Sequence, residues 1–419
     1  MMNEREPSIA DSRKAGPVQA YLLLLSGCMS VLAAVLIAPI LPNMQAHFAD
    51  VPNVEFLVPV SLTAPGLVIA ILALFVGAIA DRFGRKRLLV GGLLLYAVFG
   101  TAPVWLDSLY AILATRIGVG FTEALIMTCC TAMIGDYFEG LQREKYLALN
   151  ITFASTSAVI FIAVGGALGE FGWRVPFAVY AISLVLAPAI LLLLWEPRRA
   201  VAEIEHSAGA AISGVSWRPK LLAWICVVTL IGGIAFMAVQ VHIAYLLERV
   251  GVTSPAAVGL IAAGAQVAVV VGSLLFRMLL RTSVTVPARL GTGFAIVGAG
   301  FLAVGQADSF GGVAAGALMA GLGGGILLPS MLCWNMSELP SEHRALGSGA
   351  WTAAFFLGQF LTPIVVVAIA GQVGGLPRAL ELMGMLVLPC GAVLLAYSLG
   401  RRRMPQQTAE HPVRSVAGK

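Results

Sequence analysis

The chain has 419 residues, 59% of them hydrophobic and only 11% charged, with a mean hydropathy of +0.92. An ordinary soluble domain is about 25% charged, so this composition excludes a water-soluble globular protein and leaves a polytopic membrane protein. The net charge of +5 does not point to nucleic acid, because the basic residues cluster at the ends of apolar runs, where they set orientation in a bilayer.

A transmembrane helix needs about 20 apolar residues. Runs of that kind are expected at 18–41, 57–80, 88–106, 109–134, 147–169, 173–195, 221–246, 256–280, 288–305, 310–335, 346–370 and 378–400. The first is too long for the apolar stretch of a cleaved signal. Alternating the loops puts most Lys and Arg on the side that holds both termini, which is therefore expected to be cytoplasmic. Its markers include "DRFGRKR", "EPRRA", Arg281, Arg289 and "GRRRM".

The long polar break divides the chain into a segment 1–17, a six-helix half 18–195, a linker 196–220, a second six-helix half 221–400 and a tail 401–419. A faint repeat supports the cut: "GDYFEGLQREKYLALN" after the fourth run corresponds to "MSELPSEHRALGSGA" after the tenth. Repeats related by an axis along the membrane normal suit two halves rocking about a central site. All six cysteines, Cys28, Cys129, Cys130, Cys226, Cys333 and Cys390, sit in apolar runs without CxxC spacing, which suggests neither a disulfide framework nor a metal site.

The loop "GAIADRFGRKRLL" supplies Gly77, Asp81, Arg82, Gly84, Arg85 and Lys86. Here the chain resembles the major facilitator superfamily, whose signature between its second and third helices has this form. Gly77 is expected to admit a neighbouring helix, Gly84 to allow a tight turn and Asp81 to pair with an Arg or with a helix start. The resemblance implies an all-α membrane fold of twelve helices in two pseudo-symmetric six-helix bundles. It also implies a cytoplasmic gate at these residues together with Asp136 and Arg143.

"IAPILPNMQAHF" and "RIGVGFTEA" resemble the twelve-helix drug:proton antiporter branch. The fifth run departs from that branch. It keeps Gly165, Gly166, Gly172, Trp173 and Arg174 but has Phe161 and Ile162 where a Gly-Pro pair is usual.

Within the fourth run stand Arg116 and Glu123. Seven residues apart, they share one helix face to within about 20° and are separated by roughly 10.5 Å along the axis. An acid at mid-membrane costs on the order of 2.5–3.5 kcal/mol and is expected to face a watery cavity or to be protonated. Glu123 is thus the expected proton-exchanging group, and the resemblance places Arg116 on the same cavity as its regulator. Gln240, His242, Gln266, Gln359 and Phe355 complete the expected substrate cavity, although interhelical hydrogen bonding explains the polar ones as well.

Walker, Rossmann and lipase-type motifs are not found, so an enzyme, a cofactor other than the coupling proton, and a metal site are not expected. The expected function is proton-coupled export of a small amphipathic or cationic compound by a monomer in the inner or plasma membrane. The alternatives are uptake of an organic acid, peptide-like nutrient or metal chelate and, outside transport, a membrane receptor or membrane enzyme.

Overall fold

The computed structural model describes residues 15–196, 219–281, 284–339 and 344–403. The expected leading segment through residue 14, linker residues 197–218, loop residues 340–343 and the tail from 404 lie outside the described residues. The chain is all-helical over the described residues, with twelve helices long and apolar enough to span a membrane. They are α1 (Pro17–His47), α2 (Val54–Leu72), α3 (Arg85–Val104), α4 (Leu109–Tyr137), α5 (Gly140–Gly169) and α6 (Val175–Leu193), then α7 (Pro219–Arg249), α8 (Pro255–Leu280), α9 (Val286–Gly305), α10 (Phe310–Glu338), α11 (Leu346–Val373) and α12 (Leu376–Ser398).

Two helices differ from the hydropathy reading in an instructive way. The second run was expected to continue to residue 80, but α2 stops at Leu72 and a separate short helix, Val76–Phe83, follows. Its Val76 and Ala80, one turn apart, are buried while Asp81 and Arg82 are exposed. Hydropathy alone counts the apolar face of such an amphipathic helix as more membrane span. At the other extreme, α5 begins at Gly140, seven residues before the expected start, because its polar first turns keep helical hydrogen bonding beyond the apolar run.

Pairwise packing reveals the internal symmetry. In the first half α1 packs on α4 and α5, α2 on α4, and α3 on α4 and α6; in the second, α7 packs on α10 and α11, α8 on α10, and α9 on α10 and α12. Each pair in the second half is a first-half pair advanced by six. Ser108 caps α4 by accepting from the Ala111 N–H, and Ser309 caps α10 by accepting from the Gly312 N–H. The two serines lie about 200 residues apart, the spacing of the sequence repeat, and each satisfies a donor at a helix start.

The halves pack most closely along two seams, α5 on α8 and α2 on α11, and the end of α1 also touches α7 and α8. The α5–α8 seam lies toward the face opposite the Asp81–Arg85 loop. There the backbones almost touch: a Cβ at Gly166 would stand 2.5 Å from the Pro255 carbonyl oxygen, and one at Gly259 would stand 2.9 Å from the Gly166 Cα. Just past α5, the Glu170 carboxylate accepts from the Ser254 hydroxyl and, at 2.9 Å, from the Ala256 N–H, so it caps the start of a helix in the other half. These two bonds hold its carboxyl below the usual range. The α2–α11 seam runs toward the basic face through Thr63, whose hydroxyl reaches the Phe360 carbonyl at 3.5 Å, and through Gly66 and Leu74 against Phe356 and Gly349.

Candidate functional site

At the basic face the loop residues converge as the spacing predicts. Gly84 has φ of +92° and ends the short helix while starting α3. Because α3 begins at Arg85, that side chain reaches Asp81 one turn earlier, with Nη2 donating to Oδ1 at 3.0 Å, and also donates to Asp136 at the end of α4. The guanidinium thereby bridges two carboxylates, a charge-assisted arrangement stronger than a neutral hydrogen bond. Arg143 lies over Gly135, near Asp136 in the chain.

Arg82 rests its guanidinium 5.7 Å from the Phe83 ring. The role expected of Gly77 is not seen: a Cβ there would meet open space, so no neighbouring helix uses its smallness.

Glu196, at the end of α6, completes this cluster and was missed from sequence. Its carboxylate accepts from the Arg85 N–H at 2.5 Å and the Lys86 N–H at 3.1 Å, placing a negative charge on the start of α3. A Cβ at Gly84 would stand 3.2 Å from that carboxylate. Tyr137 stacks on Trp195 with centroids 4.8 Å apart and accepts from its N–H, which holds the end of α6 against α4. A lone acid ahead of Pro197 was the available signal, and it was read as part of a positive loop.

Arg116 and Glu123 do share a face, yet what that face meets differs from expectation. Arg116 is 0% exposed and Glu123 2%. Both are enclosed within the first six spans and face no open cavity in this conformation. Arg116 donates from Nη2 to the Tyr180 hydroxyl at 2.7 Å and lies 5.2 Å and 5.9 Å from the Tyr180 and Phe177 rings. Tyr96 of α3 packs on Tyr180 at 5.1 Å and donates to the Met29 carbonyl of α1. Arg116 Nε and Nη1 and Glu123 Oε1 are buried without a hydrogen-bond partner. A buried group of this kind carries a substantial desolvation cost.

The candidates of the second half do not form one wall. A small cavity lies among α5, α7, α8 and α10, lined by Ile162, Phe236, Gln240 and small residues including Ala265 and Gly321. Of the seven expected cavity residues only Gln240 lines it; its amide also donates to the Phe236 carbonyl. Phe355 sits one ring behind, 5.9 Å from Phe236 and stacked on Trp351.

His242 and Gln266 are buried, each with one polar atom unpaired, and Gln359 is buried as well. The His242 Nδ1 faces the Ala238 carbonyl at 2.8 Å. A carbonyl only accepts, so Nδ1 carries the proton and Nε2 is the unpaired atom.

The arrangement of twelve spans in two symmetric halves agrees with comparisons to known proteins. The chain is 28% identical to the 3-(3-hydroxy-phenyl)propionate transporter of Escherichia coli, over 70% of this chain and 72% of that protein. It is 29% identical to multidrug resistance protein 2 of Bacillus subtilis, over 42% of this chain and 44% of that protein.

Among solved structures, a bacterial homologue of the human lysosomal transporter Spinster, in an inward-facing and occupied conformation, superposes with a TM-score of 0.70 at 17% identity, covering 92% of this chain and 94% of that one. A D-xylose–proton symporter superposes with a TM-score of 0.69 at 16% identity, covering 91% and 96%. The sequence profile of the Major Facilitator Superfamily matches residues 23–305, and the chain is a multi-pass membrane protein belonging to that superfamily.

Proposed function

We propose that this protein is a proton-coupled secondary transporter of small amphipathic organic compounds, working by alternating access with Glu123 as the group that takes up and releases the proton. The observation that carries this reading is the Glu123–Arg116 pair, buried on one face of α4 with unsatisfied polar atoms on both side chains. A carboxyl held there at a cost of several kcal/mol has use only if its charge changes during the cycle. Because the pair is enclosed in the first half while the cavity lies mostly in the second, coupling runs through rearrangement of the halves. The Asp81–Arg85–Asp136 cluster acts as the gate latch, the termini lie in the cytoplasm, and the protein works as a monomer in the inner or plasma membrane without a cofactor.

The test is Glu123→Gln in proteoliposomes, with ethidium, tetracycline and 3-(3-hydroxyphenyl)propionate as probes. Substrate-driven proton flux is expected to vanish while passive exchange of the same probe persists. Unchanged coupled flux in the variant refutes the role.

The direction of transport has two readings. Export of an amphipathic or cationic compound is supported by the multidrug relatives. Uptake of an organic acid or similar nutrient is supported by a specific observation: the propionate transporter matches over about 70% of both chains, whereas the multidrug protein matches over less than half. Cells under an imposed proton gradient separate the two, since an exporter lowers accumulation of its substrate and a symporter raises it.

A further inference from the structure

Three features of α6 and α3 build the enclosure around Arg116, and none belongs to a motif discussed above. First, α6 opens as a 3-10 helix over Val175–Ile182 before continuing as an α-helix from Ser183. In a 3-10 helix residues three apart eclipse, so Phe177 and Tyr180 stand one above the other, with ring planes 17° apart and centroids 6.5 Å apart. In an α-helix the same two side chains would diverge by about 60°.

Second, Gly100 of α3 leaves the space that the Tyr180 ring occupies: a Cβ there would lie 2.1 Å from Tyr180 Cδ1. Third, the Tyr180 hydroxyl is the hydrogen-bond partner of an otherwise unsatisfied, fully buried guanidinium.

We infer that Tyr180 is a positioning residue for proton coupling: it fixes the Arg116 guanidinium at the place from which its charge acts on Glu123. The inference rests on the proposed role of Glu123. The groups that act on one another here are Arg116 and Glu123 of α4, Tyr96 of α3 and Tyr180 of α6. Tyr96 is tied to the Met29 carbonyl of α1, which leaves Tyr180 as the residue that reaches Arg116 directly. Losing the hydroxyl frees the guanidinium to move relative to Glu123, and a tenfold change in how far its charge favours the ionised carboxyl moves the midpoint by about one pH unit.

The experiment is an infrared difference titration of the purified full chain, in which the Glu123 carboxyl band is identified by its absence in Glu123→Gln. Tyr180→Phe keeps the ring and removes the hydroxyl; Gly100→Ala keeps the hydroxyl and displaces the ring. The titration midpoint of the Glu123 band is expected to move by about one pH unit or more in both variants, with the pH profile of coupled flux moving with it. A midpoint unchanged in both variants overturns the positioning role while leaving Glu123 as proton carrier. A wild-type chain whose Glu123 band never titrates overturns the carrier itself.

Discussion

The two seams between the halves are built on different principles. Along α5–α8, glycines put backbone on backbone, and a carboxylate from one half caps a helix of the other. Along α2–α11, side chains intervene: Phe356 and Leu74 pack across, and the polar bond from Thr63 is long at 3.5 Å. Close small-residue packing is how membrane helices associate tightly, since lipid offers no hydrophobic drive. The first seam is thus the tighter contact in this conformation and the second the one that yields more readily.

A matched pair of substitutions tests that ranking most severely. In Gly166→Ala the new methyl would lie 2.5 Å from a backbone carbonyl, which must move, whereas in Gly66→Ala it would lie 3.1 Å from the Phe356 carbonyl and needs a shift of a few tenths of an ångström. Overpacking of the first kind costs about 1–3 kcal/mol, so the closed-to-open ratio at the α5–α8 seam is expected to fall by about 5- to 150-fold. Gly66→Ala should change it far less. Labelling of a cysteine placed near Gly169 reports the seam directly, and equal effects of the two substitutions would erase the proposed difference.

Next in size is Glu170→Ala, which removes the cap on α8 and should raise cysteine labelling at the same position without altering transport of a bound probe. The pH dependence of that cap has a definite sign. Accepted hydrogen bonds lower the Glu170 pKa relative to its ordinary value, so the cap is fully present above the usual carboxylate range near 4.3. It is lost only as pH falls through the lowered folded value. Labelling, taken relative to a fully exposed control cysteine because the thiolate fraction falls with pH, should stay flat through neutral and mildly acidic pH and rise only below that range, a rise that Glu170→Ala abolishes. The smallest effect is expected from Thr63→Ala, because a bond at 3.5 Å contributes at most about 0.5 kcal/mol; labelling should change by less than about twofold.

Legibility in the sequence followed the range of the interactions. Twelve spans could be read from hydropathy, since burial in lipid is a local demand on composition. Their ends could not, because the amphipathic helix at Val76 and the polar first turns of α5 obey hydrogen bonding rather than hydropathy. The Asp81–Arg85 pair is one helical turn long and was visible in spacing, whereas Glu196, more than 100 residues away, was not.

Helical periodicity put Arg116 and Glu123 on a common face. It could not say that the face turns inward, which depends on the 3-10 opening of α6 and on the space left at Gly100. The cavity among α5, α7, α8 and α10 was least legible: Gln240 reaches it, but the alanines and glycine of its wall carry no polar signature.

Glu196 has a mechanical consequence. The covalent thread between the halves departs directly from the carboxylate that moors the first turn of α3. The residue that opens the connector is therefore anchored to the backbone beside Arg85, and a change at Glu196 is felt at the start of α3.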